Sequence, residues 1–378
     1  MRYYIIAGEA SGDLHGSNLI RELRKLDKSA DIRCWGGDRM QEAGGNLVKH
    51  YRNLAFMGFT EVLKNLGAIF RNLKFCKKDI LEFSPDVLIL VDYPGFNLRI
   101  AQWAKEQIQF NASKGKIIYY ISPQVWAWKS GRVRSMKQCI DKMICILPFE
   151  KNYYRNKWNW EVEYVGHPLV EEINQFLVTG SKLKVNEPYA GKVIALLPGS
   201  RKQEILKKLP IMLGVAKHFP EYHFIVAKAP GVDPAFYSAL MAPYSNVSSV
   251  VNQTYALLAT ATAALVTSGT ATLETALFGV PEVICYKGNS LSYLIAKRLI
   301  RIKYIGLVNL IMDKEVVKEL IQDELTVQNL QLELQKLLSN AKKQAQLKAD
   351  YTELHHVLSE GGNASAHAAR SITSYVKK

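Results

Sequence analysis

Asp92 closes an apolar run, Val87-Leu88-Ile89-Leu90-Val91, and stands immediately before Tyr93-Pro94-Gly95-Phe96-Asn97. A carboxylate in that place can serve as general base toward a hydroxyl, the more so where burial raises its pKa. An Asp that caps the next helix accounts for the same residues equally well, and Glu9 and Asp13 of the loop Gly8-Glu9-Ala10-Ser11-Gly12-Asp13 are rival acids. A second group of residues suits a different task. In Leu197-Pro198-Gly199-Ser200-Arg201, with Glu204 just beyond, Gly199 lets the backbone approach a ligand, Ser200 can cap a helix or bind phosphate, and Arg201 supplies a permanent cation. A diphosphate leaving group needs such stabilisation as its charge develops. Ser268-Gly269-Thr270-Ala271-Thr272 opens another helix, with Glu274 one turn inside it. Its hydroxyls and amides suit an anion, whereas the carboxylate suits neutral hydroxyls such as those of a ribose. Ordinary helix capping explains each loop alone; the two together favour a nucleotide-diphosphate site. Neither is G-x-x-x-x-G-K-[ST], and residues 8–13 are not G-x-G-x-x-G, so ATP hydrolysis and NAD-dependent hydride transfer lose ground.

The elements that must deliver these residues can be read from the same pattern. Tyr3-Tyr4-Ile5-Ile6-Ala7 and Val193-Ile194-Ala195-Leu196-Leu197 each break into a small-residue loop and then a helix, which leaves backbone N–H groups pointing outward at the helix start. Two such units predict two nucleotide-binding-like domains facing one cleft. Strand-like and helix-like segments alternate in both halves of the chain, which predicts an α/β protein with parallel sheets wound on both faces. A length of 378 residues suits two cores. The spacing places one domain at 1–178, a polar linker at 179–191, a second domain at 192–345 and terminal helices at 346–378, with the chain from Lys314 onward reading as all-helical.

Further segments carry weaker signals. Ser122-Pro123-Gln124-Val125-Trp126-Ala127-Trp128, beside Lys129, Arg132 and Arg134, could wall a sugar or acyl site, or fill a core. Val165-Gly166-His167-Pro168 reads as a turn and helix start, with a structural His167 favoured over a catalytic one. The five cysteines are scattered and the eight histidines lack metal-ligand spacing, so no bound metal is expected. A single Arg2 before a short apolar run is not a secretory signal, and no apolar stretch reaches spanning length; a cytosolic start is expected.

The formal net charge of +15 calls for anionic partners: nucleic acid, an anionic lipid surface or a phosphorylated substrate. Across residues 56–83, Phe59, Val62, Leu63, Leu66, Ile69, Phe70 and Leu73 recur at helical spacing, with Lys64, Arg71, Lys74 and Lys78 on another face. Residues 291–304 repeat the mixture, with Lys297, Arg298, Arg301 and Lys303. Apolar surface beside basic side chains suits a peripheral membrane contact, although a helix packed on its sheet with a solvated basic face shows the same pattern.

Taken together the segments resemble the lipid-A-disaccharide synthase family, inverting glycosyltransferases of the GT-B fold. The resemblance rests on GEASGD at 8–13, DxPxFN at 92–97, SPQVWAW at 122–128, GHP at 166–168, LLPGSRxxE at 196–204, SGTATLE at 268–274, and NLI and KELIQDE at 309–311 and 318–324. It implies a GT-B-like pair of doubly wound Rossmann-like domains with C-terminal helices, the first facing acceptor and membrane, the second holding a UDP-sugar. It implies transfer from UDP-2,3-diacylglucosamine to the 6-hydroxyl of 2,3-diacylglucosamine 1-phosphate, forming a β-1,6 linkage and releasing UDP, with neither metal nor cofactor. Asp92 would be the general base. Gly199, Ser200, Arg201, Ser268, Gly269, Thr270, Thr272, Glu274 and Asn309 would hold the UDP, and Glu9, Ser11, Gly12 and Asp13 would face sugar and acceptor. Phe59, Val62, Leu66, Phe70, Lys64, Arg71 and Lys74 would dock to the cytoplasmic leaflet of the inner membrane, giving a cytoplasmic, peripherally attached enzyme. Val308 stands where relatives commonly have Pro, and the family's terminal helices admit a homodimer. Two rivals remain at this point: a UDP-sugar epimerase or hydrolase of the same fold, and a basic module that binds nucleic acid or phosphate without catalysis. The interleaving of basic with aliphatic residues, and the lack of a recognised nucleic-acid fold, weigh against the second.

Overall fold

A computed structural model describes residues 1–53, 66–107, 115–184, 191–229, 231–288, 303–360 and 362–377. The chain divides into two compact units, Met1–Pro168 with Leu358–Lys378, and Leu169–Val357. The first unit is built on a parallel seven-stranded sheet in the order β3-β2-β1-β4-β5-β6-β7, with β1 Arg2–Ala7, β2 Asp31–Gly36, β3 Asn46–His50, β4 Val87–Val91, β5 Lys116–Tyr120, β6 Lys142–Cys145 and β7 Glu163–Tyr164. Helices α1 Ala10–Leu26, α2 Asp38–Glu42, α3 Leu66–Phe83, α4 Pro94–Glu106, α5 Arg132–Cys139 and α6 Pro148–Trp158 connect them. Central strands β1 and β4 read as nearly unbroken apolar runs because both faces are covered: Tyr4, Ile6, Leu88 and Leu90 enter one core cluster, and Tyr3, Ile5, Val87 and Ile89 the other.

The order is informative. From β1 the chain first builds outward through β2 and β3, then returns to place β4 on the other side of β1. Diverging loops at such a reversal open a crevice at the carboxyl ends of the two strands, where ligands bind in open α/β sheets. Ala7 is in register with Val91, so the crevice lies between Gly8-Glu9 and Asp92.

The second unit repeats the plan with a six-stranded parallel sheet, β10-β9-β8-β11-β12-β13. Its strands are β8 Val193–Leu197, β9 His223–Lys228, β10 Val247–Val251, β11 Ala263–Thr267, β12 Glu282–Tyr286 and β13 Lys318–Ile321. Its helices are α7 Pro168–Thr179, α8 Lys202–Ala216, α9 Pro234–Met241, α10 Thr254–Leu258, α11 Thr270–Leu277, α12 Leu307–Met312, α13 Val327–Ser339 and α14 Ala341–Ser359. Here the reversal falls between β8 and β11, and Leu197 is in register with Val266. A final helix, α15 Ala364–Val376, returns to the first unit.

Three expectations about organisation are corrected. The chain leaves the first unit at Pro168 rather than at 178, because α7 packs Phe176 edge-on against Tyr255 and Phe278 of the second. Of the expected linker, residues 185–190 lie outside the described residues. The terminal helices do not form a separate segment beginning at 346. Helix α14 spans that position and is tied to the second unit by the Tyr351 hydroxyl, which donates to the Val280 carbonyl at 3.3 Å. Helix α15 instead buries Ala368, Ala369 and Ile372 among Tyr3, Ile5 and Ala7, its small residues allowing a close approach to α1. Finally, the stretch after Lys314 is not all helix: residues 318–321 form the edge strand β13, paired with β12, too short to show a period against the helical segments around it.

Candidate active site

The first crevice is assembled on an unusual backbone. Asp92 and Tyr93, neither of them glycine, both occupy the left-handed region, at φ 45° and 48°, which costs on the order of 1 kcal/mol per residue and persists only where neighbours enforce it. The enforcement is visible. The buried Tyr119 hydroxyl donates to the Asp92 carbonyl at 2.6 Å, the Asn97 amide donates to the same oxygen at 2.8 Å, and Asp92 N–H donates to the Tyr120 carbonyl at 3.0 Å. Pro94 starts α4 at its first turn. The residues of the 92–97 motif thus turn the Asp92 side chain away from strand geometry and hold it at the sheet edge. Gly8 is required opposite, since a Cβ there would lie 2.2–2.5 Å from the Tyr93 ring.

Burial, and then the negative charge of Glu9, push the Asp92 carboxyl up to about 6, against a hydrogen bond from the Tyr93 backbone that favours ionisation. A carboxylate so placed is a stronger base than one in water, yet is still ionised near neutrality. Glu9 stands at the N-cap of α1 and is half-buried, Ser11 is exposed in the first turn, and Gly12 is buried 3.1 Å, by its missing Cβ, from the Ala7 side chain. Asp13 has another occupation. It is buried, and its carboxylate accepts from the backbone N–H groups of Gly37 at 2.7 Å, Met40 at 3.1 Å and Arg39 at 3.2 Å, closing the N-terminus of α2.

The 122–128 segment follows β5 at the same sheet edge. Trp126 donates its indole N–H to Glu150 at 3.2 Å, and the Leu147 N–H donates to the other oxygen at 3.1 Å. Burial pushes Glu150 up to about 8. Trp128 is exposed, with Lys129 over its ring. His167 is buried; its N–H donates to the Leu358 carbonyl at 3.0 Å, and burial followed by the neighbouring His15 lowers its pKa to about 3.

In the second unit a cleft of about 340 Å³ lies at the β8/β11 reversal, lined among others by Gly199, Ser200, Thr267, Ser268 and Gly269. Gly199 takes φ 107° and Gly269 φ 142°, conformations a side chain rarely tolerates. Ser200 and Arg201 are exposed, and Arg201 pairs with Glu204 at 3.3 Å. Ser268 donates to the Ile305 carbonyl at 3.0 Å, while Thr270 is exposed at the start of α11. Glu274 also lines the cleft. Burial and then Glu172 push it up to about 7, against a hydrogen bond from Tyr255, so a neutral hydroxyl partner is favoured over an anion.

Two further residues expected at the nucleotide face inward. Thr272 is buried with its hydroxyl on the Gly269 carbonyl at 2.9 Å. Asn309 is also buried; its amide donates to Val317 O and Glu319 and its carbonyl accepts from the N–H groups of Val316 and Val317, all at 2.8–3.0 Å. Glu319 in turn accepts from the N–H groups of Ile305 and Gly306, so Asn309 steadies the segment that Ser268 touches.

Lys208, which no motif marks, is buried on α8 with its ammonium on the Thr267 hydroxyl. A lysine on the apolar stripe of Ile205, Leu209 and Met212 is its one signal in the sequence. Tyr119 and Glu150 have none, since no motif spacing distinguishes them from core residues.

On α3, Leu73, Cys76, Ile80 and Phe83 face the core, whereas Phe70, Arg71, Lys74 and Phe75 are exposed. The expected apolar face is therefore divided, with Leu73 inside and Phe70 outside. Phe59, Val62, Lys64 and the Leu66 side chain lie outside the described residues, as do residues 291–302. Among the described residues no helix is long and apolar enough to cross a membrane.

Comparison with known proteins agrees with this architecture. Among solved structures, a UDP-GlcNAc 2-epimerase from Neisseria meningitidis aligns over 100% of both chains with a TM-score of 0.65 at 12% identity. The glycosyltransferase of kitacinnamycin aligns over 99% of both with a TM-score of 0.63 at 16% identity. Such likeness speaks to the fold, which is GT-B, and does not separate transferase from epimerase. Sequence does. The chain is 37% identical over 369 residues to the lipid-A-disaccharide synthase of Geobacter metallireducens, covering 96% of this chain and 94% of that one. It is 38% identical over 352 residues to lipid-A-disaccharide synthase 1 of Legionella pneumophila (strain Lens), covering 90% and 87%. With a family model for lipid-A-disaccharide synthetase matching residues 3–373 as well, the chain belongs to that family, the glycosyltransferases of lipid A biosynthesis.

Proposed function

We propose that the enzyme joins UDP-2,3-diacylglucosamine to 2,3-diacylglucosamine 1-phosphate, with Asp92 as general base. Asp92 takes the proton of the acceptor 6-hydroxyl as that oxygen attacks the anomeric carbon of the donor. The bond to the diphosphate breaks on the opposite face, which inverts the configuration and gives a β-1,6 linkage, and UDP leaves with the electron pair. Arg201 and the Gly199-Ser200 turn meet the charge developing on the diphosphate. The N–H groups and hydroxyls of Ser268, Gly269 and Thr270 complete that side, and Glu274 takes the ribose hydroxyls. Thr272 and Asn309 support these loops from within. Glu9, Ser11 and Gly12 face the acceptor, and Asp13 pins the first turn of α1 to the start of α2.

The observation that carries this reading is the Asp92 carboxyl, held at the β1/β4 reversal by left-handed backbone and raised toward neutrality by burial and Glu9. Both substrates are acylated, and the exposed Phe70, Phe75, Arg71 and Lys74 of α3 suit apolar insertion beside anionic headgroups. That supports docking at the cytoplasmic leaflet of the inner membrane.

The test is a product assay with the UDP-linked donor and the monosaccharide 1-phosphate acceptor, read by mass spectrometry. Disaccharide 1-phosphate and UDP should appear in equal amounts, dependent on the acceptor. UDP released without disaccharide, or a donor epimerised at its 2-position, would replace the transferase reading with one of its rivals.

A further inference from the structure

Lys208 is a buried lysine, 3% exposed, on the same face of α8 as Ile205, Leu209 and Met212. A charge is retained in such a place only with partners, and its partners lie at the cleft. Its ammonium bonds the hydroxyl of Thr267, the last residue of β11, and lies 3.8 Å from Glu204. It therefore ties the loop after β8 to the strand before the second loop. A Cβ on Gly199 would sit 3.0 Å from the Glu204 carboxylate and 3.6 Å from the Lys208 nitrogen, so both charges are packed directly beneath the turn.

Glu204 makes this arrangement consequential. It lines the cleft, where a bare carboxylate would repel a diphosphate, and its two oxygens are divided between cations, one 3.3 Å from Arg201 and the other facing Lys208. Arg201 is exposed, whereas Lys208 is buried. When Arg201 turns to an incoming phosphate, Glu204 loses one counter-charge and keeps the other.

We propose that Lys208 is a positioning residue for the donor diphosphate. From beneath Gly199 it holds Glu204 and Thr267 in place, so that Arg201 can leave Glu204 for the phosphates without exposing them to an uncompensated carboxylate. This rests on the reading that the β8/β11 cleft takes a diphosphate, and it acts through Glu204 rather than by touching the ligand.

The experiment compares UDP with uridine binding, by calorimetry and ligand-observed NMR, in the wild type and in Lys208→Met, Lys208→Met/Glu204→Gln and Arg201→Ala. Lys208→Met should weaken UDP by about tenfold, the scale of one charge-assisted contact, and leave uridine within about twofold. Neutralising Glu204 in the same chain should recover most of the loss, which a purely structural lysine would not permit. UDP binding equal to wild type in Lys208→Met overturns the proposal, as does equal weakening of UDP and uridine without recovery in the double variant. If Lys208→Met does not fold, the double variant, in which no unpaired carboxylate remains, supplies the measurement: near-normal UDP binding there supports the proposal, and a tenfold loss overturns it. Undiminished UDP binding in Arg201→Ala would instead remove the diphosphate reading of the cleft itself.

Discussion

The two sheet reversals share a plan and differ in what they carry. Each places a strand-loop-helix beside a second strand end in parallel register, at Ala7/Val91 and at Leu197/Val266. The first gathers acid: Glu9 and a half-buried Asp92 over a floor of Tyr93 and Tyr119. The second gathers hydroxyls and cations matched to a carboxylate: Ser200, Ser268 and Thr270 around the rim, Arg201 outside and Lys208 inside, both paired with Glu204, and Glu274 also in the lining. The repeated sheet fixes where a ligand is met, and the loop residues decide what can be done to it. An acidic reversal suits removal of a proton, and one whose hydroxyls and paired cations can turn to a ligand suits an anionic leaving group.

That division is most exposed to Asp92→Asn. The amide preserves size and cannot accept the proton, so turnover should fall by about 10²–10⁴, the usual contribution of a positioned base. UDP affinity should stay within about twofold. Arg201→Ala is the mirror experiment: UDP affinity should drop by about tenfold to a hundredfold, and turnover at saturating donor should fall as well. Equal damage to UDP binding from both variants would erase the distinction between the reversals.

Much of this plan is legible in the sequence. The unbroken apolar runs at β1, β4, β8 and β11 announce buried parallel strands, and the glycine, serine and acidic residues after them mark the loops. What is not legible comes from long-range packing. Nothing local in Ala364–Val376 says that it crosses back to cover β1, because that choice depends on small residues fitting against α1. Asp13 and Asn309 look like ligand-facing polar residues in their motifs, yet satisfy buried backbone groups that the sequence cannot display. Lys208 shows the converse: it interrupts an apolar helical stripe, and only the fold supplies Thr267 and Glu204 to explain it.

The backbone at the acidic reversal can be tested separately from its charges. Gly8→Ala drives a Cβ into the Tyr93 ring, at 2.2–2.5 Å, and the ring or the strand end must move. A loss of about 1–3 kcal/mol is expected from overpacking, read by urea unfolding, together with reduced turnover because Asp92 is next to Tyr93. Gly95→Ala is the control. It meets nothing within 4 Å and is exposed in the first turn of α4, so stability should stay within about 0.5 kcal/mol of wild type. A harmless Gly8→Ala would show that Tyr93 does not hold the reversal in shape.

The smallest effect discriminates most finely, because it concerns the coupling between the two acids. A base at Asp92, as proposed, works only when ionised, so a carboxyl raised to about 6 should put the acid limb of kcat/KM near pH 6, with activity rising as pH climbs through that value. Glu9 contributes to the raised pKa by adding negative charge, so Glu9→Gln should make Asp92 easier to ionise and move the limb to lower pH, leaving the plateau within a few-fold. Stability carries the same sign. A carboxyl whose pKa is raised on folding binds more protons in the folded chain between the model-peptide range near 4 and about 6, so its contribution declines as pH rises through that window. Glu9→Gln should reduce that decline, and Asp92→Asn should abolish the part due to Asp92. A limb that moves to higher pH in Glu9→Gln, or does not move, would mean that Glu9 and Asp92 do not act as one acidic site.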